Sequence, residues 1–214
     1  MQTKEKKSPY NFKLIWGLLR HGLFLQGLRY GLAKIGIDIM PYYWVQEEYI
    51  LSNKPEIRGE SQDFIFKQLN AEELDYIITE VDSVSETKIH ESLELGQACI
   101  GLKHGDKIAT YMFIELNDFI LKNRLFKINS NEAYLLNMYS FDEFRGKNLA
   151  PYLRYCCYRY LEEKDITLKY SISNYFNKSA IRFKEKLNSK PLKLFINIEL
   201  FKTFKWHFLL KTYT

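Results

Sequence analysis

The chain has 214 residues, 46% of them hydrophobic and 16% aromatic, which is enough to bury one ordinary core and excludes a disordered protein. Three cysteines exclude a disulfide framework and indicate a reduced, cytoplasmic compartment, and four dispersed histidines give no spacing typical of a metal site. The net charge of +5 is concentrated at the two ends: residues 1–40 carry seven lysines and arginines against two acids, and residues 190–214 carry five lysines against one glutamate.

Residues 12–37, "FKLIWGLLRHGLFLQGLRYGLAKIGI", form the first strongly apolar stretch. Basic residues interrupt it too often for a membrane-spanning helix, and no small-residue cleavage site marks a signal peptide. We therefore predict that residues 1–59 form a basic, amphipathic, helical extension, and that the main domain spans residues 60–214. Two interpretations of the apolar face stand: packing within the chain or in a homodimer, or contact with the inner face of a membrane.

The main domain opens with signals for a strand and a capped helix. "DFIFKQL" alternates as a strand over residues 63–69, and Asn70 followed by Glu73 makes a capping box for a helix over 71–81. The later pattern predicts a hairpin, then a strand and a helix, then a second strand and helix, and finally two closing strands. These elements are predicted at 97–103, 107–116, 132–141, 148–163, 166–172, 177–187, 192–201 and 203–210.

The stretch "RGKNLA", residues 145–150, joins the strand at 132–141 to the helix at 148–163. A loop that opens a helix after a strand presents unpaired backbone amides and the positive end of the helix dipole at one point, where phosphate groups bind. Gly146 allows a ligand to approach the backbone closely, and Arg145 and Lys147 add positive charge. The loop therefore predicts an anion site, with an ordinary surface turn as the alternative.

Two motifs resemble those of a known family. Arg145-Gly146-x-x-x-Ala150 after a strand resembles the R/Q-x-x-G-x-G/A signature of the GCN5-related N-acetyltransferase (GNAT) superfamily. "NKSAIRFKEKLN", residues 177–188, is similar to the second pattern of that family, N-x-x-A-x-x-x-Y-x-K-L-G. The resemblance covers about residues 60–210 and implies a three-layer α+β fold. In that fold a mixed, mostly antiparallel sheet is splayed between its fourth and fifth strands and flanked by helices.

Three positions depart from the family's patterns. Asn148 stands where the signature usually has glycine, Lys184 replaces the usual tyrosine, and Asn188 replaces the final glycine. In many members that tyrosine protonates the leaving thiolate. Lys184 has two interpretations, a proton donor or a solvated helix lysine, and we favour the second because a lysine is rarely tuned for acid-base chemistry.

The resemblance implies direct acetyl transfer from acetyl-coenzyme A to an amine acceptor, without a metal or a covalent intermediate. It places cofactor contacts at Met138, Tyr139, Ser140, Arg145, Gly146, Lys147, Asn148, Leu149, Ala150, Asn174 and Asn177. Candidate catalytic residues are Glu132, Tyr134, Tyr139 and Tyr175. Tyr134 stands where some relatives have a catalytic glutamate, Glu132 shares its strand face two residues earlier, and Glu115 is a further carboxylate.

The acceptor stays open among a small metabolite, an amino sugar of cell-surface polysaccharide synthesis, and a protein amine. Two other classes of function compete with acetyl transfer: an acyl-CoA-binding module without activity, and a peripheral membrane-associated protein that uses the basic ends. A nucleic-acid partner is not expected, because the lysines are not interleaved with a recognition motif.

Overall fold

The computed structural model describes residues 24–59, 63–80 and 86–214. In chain order the described elements are α1 (Phe24–Lys34), β1 (Ile37–Glu47), β2 (Phe64–Gln68), α2 (Ala71–Glu80), α3 (Glu86–Glu94), β3 (Ala98–His104), β4 (Lys107–Glu115), β5 (Phe119–Leu121), β6 (Arg124–Phe126), β7 (Glu132–Ser140), a short 3-10 helix (Asp142–Phe144), α4 (Leu149–Glu162), β8 (Leu168–Asn174), α5 (Lys178–Glu185), β9 (Lys190–Leu200) and β10 (Phe204–Thr212). None of these helices is long and apolar enough to cross a membrane.

Eight strands form one mixed sheet in the order β10-β9-β1-β8-β7-β4-β3-β2, and β5 and β6 form a separate hairpin. Every neighbouring pair in the large sheet is antiparallel except β7 and β8, which run parallel. The sheet and its flanking helices confirm the predicted α+β class.

Strands β7 and β8 separate at their carboxyl ends. Their pairing runs from Glu132 opposite Leu168 to Leu135 opposite Ser171 and stops there. Asn137 then adopts a φ of 49°, and the register of β7 against β4 shifts at the same point. A bulge of this kind bends a strand away from its neighbour. The predicted splay between the fourth and fifth strands of the domain is confirmed, because β7 and β8 are those strands once the small hairpin is set aside.

Local signals located most of the other elements. The Asn70 side-chain oxygen accepts from the Glu73 amide at 3.0 Å, and Glu73 Oε2 accepts from the Asn70 amide at 2.9 Å, so the capping box is present. The predicted hairpin of β3 and β4 turns at Gly105, whose φ is 57°. The sequence analysis did not predict the β5–β6 hairpin.

The prediction of a helical extension over residues 1–59 is wrong for residues 37–47. These residues form β1, which lies inside the sheet and pairs with β8 on one side and β9 on the other. Pro41 made the strand hard to predict, because a proline within a strand-like sequence normally argues against a central β-strand. Residues 1–23 lie outside the described part of the chain. Within residues 24–59, α1 is the one helix, so the helical prediction is confirmed there only for Phe24–Lys34.

An aromatic cluster packs β1 against its neighbours. Trp44 stacks on Phe126, Tyr134 and Tyr170 with ring centroids 4.8, 5.8 and 5.0 Å apart. Buried aromatic pairs of this geometry contribute beyond their area. A larger cluster surrounds β3, β4 and α4 and forms the main core. The amino-terminal strand is therefore part of the packed domain.

We predict that Trp44→Ala lowers the free energy of unfolding by about 3–5 kcal/mol, because a large buried ring is removed from a close-packed cluster. Chemical denaturation followed by circular dichroism measures it. Trp206→Ala is the matched control, since Trp206 is exposed and its loss costs far less. An equal effect of the two substitutions, or unfolding of β1 separate from the rest, would contradict the packing described here.

Candidate functional site

The loop from Arg145 to Ala150 follows β7 and opens α4. Gly146 has a φ of 82° and Asn148 a φ of 65°, so two residues of the loop adopt left-handed conformations. A side chain placed on Gly146 would meet no atom within 4 Å, which means that the backbone there borders open space. Asparagine tolerates the left-handed region better than most residues, and this explains how Asn148 stands in a position where the signature has glycine.

Several backbone amides of this loop find no backbone acceptor in the described part of the chain. The Arg145 amide donates to the Asp142 carbonyl at 3.2 Å, and the Tyr152 amide donates to the Asn148 carbonyl at 3.4 Å. Among the described residues, the amides of Gly146, Asn148, Leu149 and Ala150 donate to no backbone carbonyl, and no side chain caps the helix. The 14-residue helix therefore directs its positive dipole end at the loop.

Arg145 is held across the end of β7. Its Nη1 lies 2.6 Å from Asp142 Oδ1, and its Nε donates to the Ser140 carbonyl at 3.1 Å. The guanidinium also lies over the Tyr139 ring, 5.5 Å from the centroid. These contacts fix the start of the loop and leave the arginine about half exposed.

A segment that follows β1 supports the loop from the other side. Asn148 Nδ2 donates to the Glu56 carbonyl at 2.7 Å, and the Arg58 amide donates to the Lys147 carbonyl at 2.9 Å. A glycine at position 148 could not make the first of these bonds. This contact could not be predicted from the local pattern, because it joins positions 92 residues apart.

An open cavity of about 510 Å³ borders the loop and the turn between β3 and β4. Its lining is mostly charged, and the Lys107 ammonium lies 2.9 Å from Glu143 Oε2 across it. The lining residues are His104, Asp106, Lys107, Glu143, Phe144 and Lys147. The loop thus has room beside it for a polar ligand of several groups.

The carboxyl end of β7 lies next to this loop. The Tyr139 carbonyl accepts a hydrogen bond from Thr110 Oγ1 of β4 at 2.7 Å. The Thr110 hydroxyl in turn accepts one from Ser140 Oγ at 3.0 Å. Met138 packs against the main core. Residues 136–140 have no strand partner on the side that faces β8, so this backbone edge lines the splay.

The segment after β8 forms the opposite side of the splay. Asn174 Oδ1 accepts from the Phe176 amide at 2.9 Å, and Asn177 Oδ1 accepts from the Ala180 amide at 3.1 Å as the N-cap of α5. Tyr175 is exposed, and its ring lies 5.5 Å from that of Tyr43. Both asparagines therefore shape the turn, and Tyr175 stays exposed beside it.

Glu132 and Tyr134 lie at the other end of β7. Met138 lies six positions beyond Glu132 along the strand, roughly 20 Å at the usual rise. Glu132 Oε2 accepts from the Asn129 amide at 2.9 Å, and Oε1 accepts from the Tyr170 hydroxyl at 3.2 Å. Tyr134 stacks on Phe119 with centroids 4.2 Å apart, and burial raises the pKa of its hydroxyl. The structure does not bring these two side chains to the loop.

Glu115 also lies at that end, because it pairs with Tyr134. It is buried, and its carboxylate accepts from Gln97 Nε2 at 2.7 Å and from the Asn117 amide at 2.8 Å. Its hydrogen bonds join the start of β3 to the end of β4.

Lys184 is buried, so the interpretation as a solvated helix lysine is wrong. Its side chain is only 5% exposed, and its Nζ donates to Ser171 Oγ at 2.5 Å and to the Ile172 carbonyl at 3.1 Å. The ammonium also lies 3.5 Å from Glu47 Oε1. The helical pattern did not reveal this burial, because β1, which supplies Glu47, was not recognised as a strand of the same sheet.

Glu47 is the centre of this buried cluster. It accepts from the hydroxyls of Tyr158 and Ser171, and Arg154 Nη1 lies 3.8 Å from its Oε1. Burial alone would raise the pKa of Glu47, but attraction to Arg154 and Lys184 and the two hydrogen bonds outweigh it and lower the pKa to about 2. Burial lowers the pKa of Lys184 to about 8, although Glu47 opposes the shift. Glu47 was missed at the sequence level, whereas Lys184 was singled out there but its burial was not predicted.

A small cavity of about 140 Å³ lies under α5 beside this cluster, with mainly apolar walls from Val45, Ile181 and Pro191. Ser173 lines it, and its buried hydroxyl has no partner among the described residues. The cavity lies between α5 and the strands β1, β8 and β9, away from the open loop.

No family model and no curated protein matches the sequence. Solved structures do match. They include a putative GNAT-family acetyltransferase from Novosphingobium aromaticivorans, with 16% identity, a TM-score of 0.51 and 77% of this chain covered. A GNAT-family acetyltransferase from Colwellia psychrerythraea has 12% identity, a TM-score of 0.54 and 78% coverage. This chain has a GNAT-like fold.

A tandem GNAT protein from the clavulanic acid biosynthesis pathway matches 86% of this chain at 13% identity, with a TM-score of 0.53. The matches cover 66%, 59% and 58% of the three solved chains, so this chain spans less than two thirds of the length of these GNAT structures. Identities this low establish the GNAT-like fold, and the activity has to be argued from the site.

We predict that Glu47→Gln lowers the free energy of unfolding at neutral pH by about 3 kcal/mol or more, since two buried cations lose their counter-charge. Glu163→Gln, at an exposed position, is the control. Thermal and chemical denaturation of the three proteins measure the effect. A loss no larger than that of the control would contradict the central role of Glu47.

The same substitution should change the pH dependence of stability. The folded-state pKa of Glu47 lies below its ordinary value of 4.5, so its contribution is complete above pH 4.5 and is lost as pH falls toward 2. The difference between the parent and Glu47→Gln should therefore shrink over that interval in an acid denaturation series. A constant difference from pH 7 to pH 2 would show that the carboxylate is not the group responsible.

Proposed function

We propose that this chain transfers an acetyl group from acetyl-coenzyme A to an amine acceptor. One observation carries the proposal: the amides of Gly146, Asn148, Leu149 and Ala150, which donate to no backbone carbonyl of the described residues, lie beside the open splay between β7 and β8. A helix amino terminus with free amides suits a phosphate group, and the unpaired edge of β7 suits a ligand with amide groups of its own.

The residues present fit the phosphate part of that donor. The amides of Gly146, Asn148, Leu149 and Ala150 would hold the pyrophosphate, since open space borders Gly146 and no side chain competes as a cap. Arg145 and Lys147 would contribute charge from the start of the loop. When bound, acetyl-coenzyme A supplies the thioester that the acceptor attacks.

Among the residues proposed as catalytic, Tyr139 and Tyr175 are the two placed near the splay. Transfer forms a bond from the acceptor nitrogen to the carbonyl carbon and breaks the carbon–sulfur bond. The nitrogen loses a proton and the thiolate gains one. A phenol hydroxyl can donate a hydrogen bond to the developing charge. The position of Glu132 and Tyr134 favours a structural role for both residues.

The acceptor is proposed as a small metabolite or an amino sugar of cell-surface polysaccharide synthesis. The basic ends of the chain favour an anionic acceptor, because positive charge raises the local concentration of anions. Cytoplasmic acetyl-coenzyme A would be the donor, which agrees with the reduced cysteines expected from the sequence.

A second candidate is an acyl-CoA-binding module without transferase activity. Lys184 occupies the position of the family's proton-donating tyrosine, and its ammonium is engaged by Ser171, Ile172 and Glu47. A side chain held in this way is less available to protonate a thiolate. Binding without release of free thiol, across a broad set of amines, would favour this module.

We predict that the chain binds acetyl-coenzyme A and that Gly146→Trp reduces the affinity at least about 100-fold, because a ring would fill the space beside the amides. Isothermal titration measures the affinity. Gly96→Trp is a matched control, since Gly96 also has a positive φ and lies in a loop away from the site. Equal affinity of parent and Gly146→Trp would contradict the proposed phosphate site.

We further predict that free coenzyme A accumulates when acetyl-coenzyme A is mixed with the correct amine. Tyr139→Phe or Tyr175→Phe should lower kcat by about 100-fold or more for the tyrosine that assists the transfer. Glu132→Gln should leave kcat within a few fold, given its distance from the splay. Loss of activity in Glu132→Gln with normal folding would overturn this assignment.

A further inference from the structure

The edge of the sheet at β10 carries an apolar face that no helix or strand of the described residues covers. Direct pairing places Ile39 of β1, Ile198 of β9 and Trp206 of β10 side by side, and directly paired residues share a face of the sheet. We call the set the β10 face. Its members are Ile37, Ile39, Pro41, Ile196, Ile198, Leu200, Phe204, Trp206 and Phe208.

The aromatic side chains of this face are open to solvent. Phe204, Trp206 and Phe208 are 56%, 43% and 50% exposed. At the turn before β10, Phe201 is 65% exposed, and its amide donates to the Gly36 carbonyl at 2.6 Å, so the apolar surface continues to the end of α1. A contiguous exposed patch of this kind marks an interaction surface.

The surroundings of the face are basic. Lys202, Lys205 and Lys211 are all exposed and lie in or beside β10. Lys34 is exposed at the end of α1, close to the same turn. Glu199 is the one acid among residues 190–214. The partner of this face should therefore combine an apolar interior with negative charge at its surface.

A second copy of the chain fits this requirement poorly. Pairing of two β10 edges about a two-fold axis at Phe208 would place Lys205 of one copy opposite Lys211 of the other, and opposed like charges are destabilising. Nucleic acid fits the lysines and could stack on the aromatic residues of β10, but it would leave the isoleucines of β1 and β9 uncovered.

We propose that the β10 face docks the protein on a bilayer that contains anionic lipids. Tryptophan and phenylalanine side chains enter the boundary between headgroups and acyl chains, and the lysines contact the anionic headgroups. The nine residues of β10 give a contact line of about 30 Å along the membrane surface. This inference does not depend on the acetyl transfer proposed above.

The test uses the full chain and flotation with vesicles of phosphatidylcholine, alone or mixed with phosphatidylglycerol. We expect binding to the mixed vesicles only. A triple substitution should weaken binding to the mixed vesicles on the order of 100-fold, at about 5-fold for each lysine. It combines Lys202→Gln, Lys205→Gln and Lys211→Gln. Trp206→Thr with Phe208→Thr should abolish binding. Ile65→Thr on β2, at the opposite sheet edge, and Lys164→Gln are controls that should bind as the parent does.

Tryptophan fluorescence identifies the inserted residue. In a protein that also carries Trp16→Phe, we expect a blue shift with mixed vesicles that disappears in Trp206→Phe while flotation is retained, because the remaining tryptophan, Trp44, is buried in the aromatic cluster. Four outcomes overturn the proposal: no binding of the parent to mixed vesicles, equal binding to both vesicle types, unchanged binding of the substituted proteins, or a blue shift that persists in Trp206→Phe. A lipid-free dimer that Trp206→Thr with Phe208→Thr converts to monomer would show that a second copy covers the face instead.

Discussion

A single buried carboxylate joins strands β1 and β8 to the two helices beside the splay. Glu47, at the end of β1, contacts Tyr158 and Arg154 of α4, Lys184 of α5 and Ser171 of β8. Such a cluster is costly to desolvate, and it is stable only when its members are all present and well placed. The direction of α4, and with it the position of the loop at its start, therefore depends on a strand from the amino-terminal part of the chain.

Local chemistry made much of the fold predictable. The capping box at Asn70 and Glu73, the glycine turn at Gly105 and the apolar face of α4 are signals read within a few residues, and each gave the correct element. The splay followed from a family resemblance and was confirmed by the short pairing of β7 and β8. The loop at residues 145–150 was predicted from its local sequence and from the same family resemblance. Both were informative because an anion site of this kind depends on backbone amides and on a glycine.

The features that were missed depend on contacts between distant positions. β1 contains a proline and stands next to a basic apolar segment, so its pattern alone favoured an extension over a central strand. The burial of Lys184 and Glu47 could not be seen before β1 was placed beside β8, since a helix lysine is normally solvated. The bond from Asn148 to the Glu56 carbonyl is equally non-local, although a positive φ at an asparagine would have been a reasonable guess.

The placement of β1 also constrains how the chain folds. Tyr42 pairs with Asn174 and Phe195, which follow it by more than 100 residues, so this part of the sheet is built from contacts of long sequence separation. Contacts of this kind slow folding, because a long loop must close before they form. β2, β3 and β4 can associate early, whereas β1 has no partner until β8 and β9 have left the ribosome. During synthesis its aromatic residues stay unpaired, and the emerging chain needs protection from aggregation until its last strands are made.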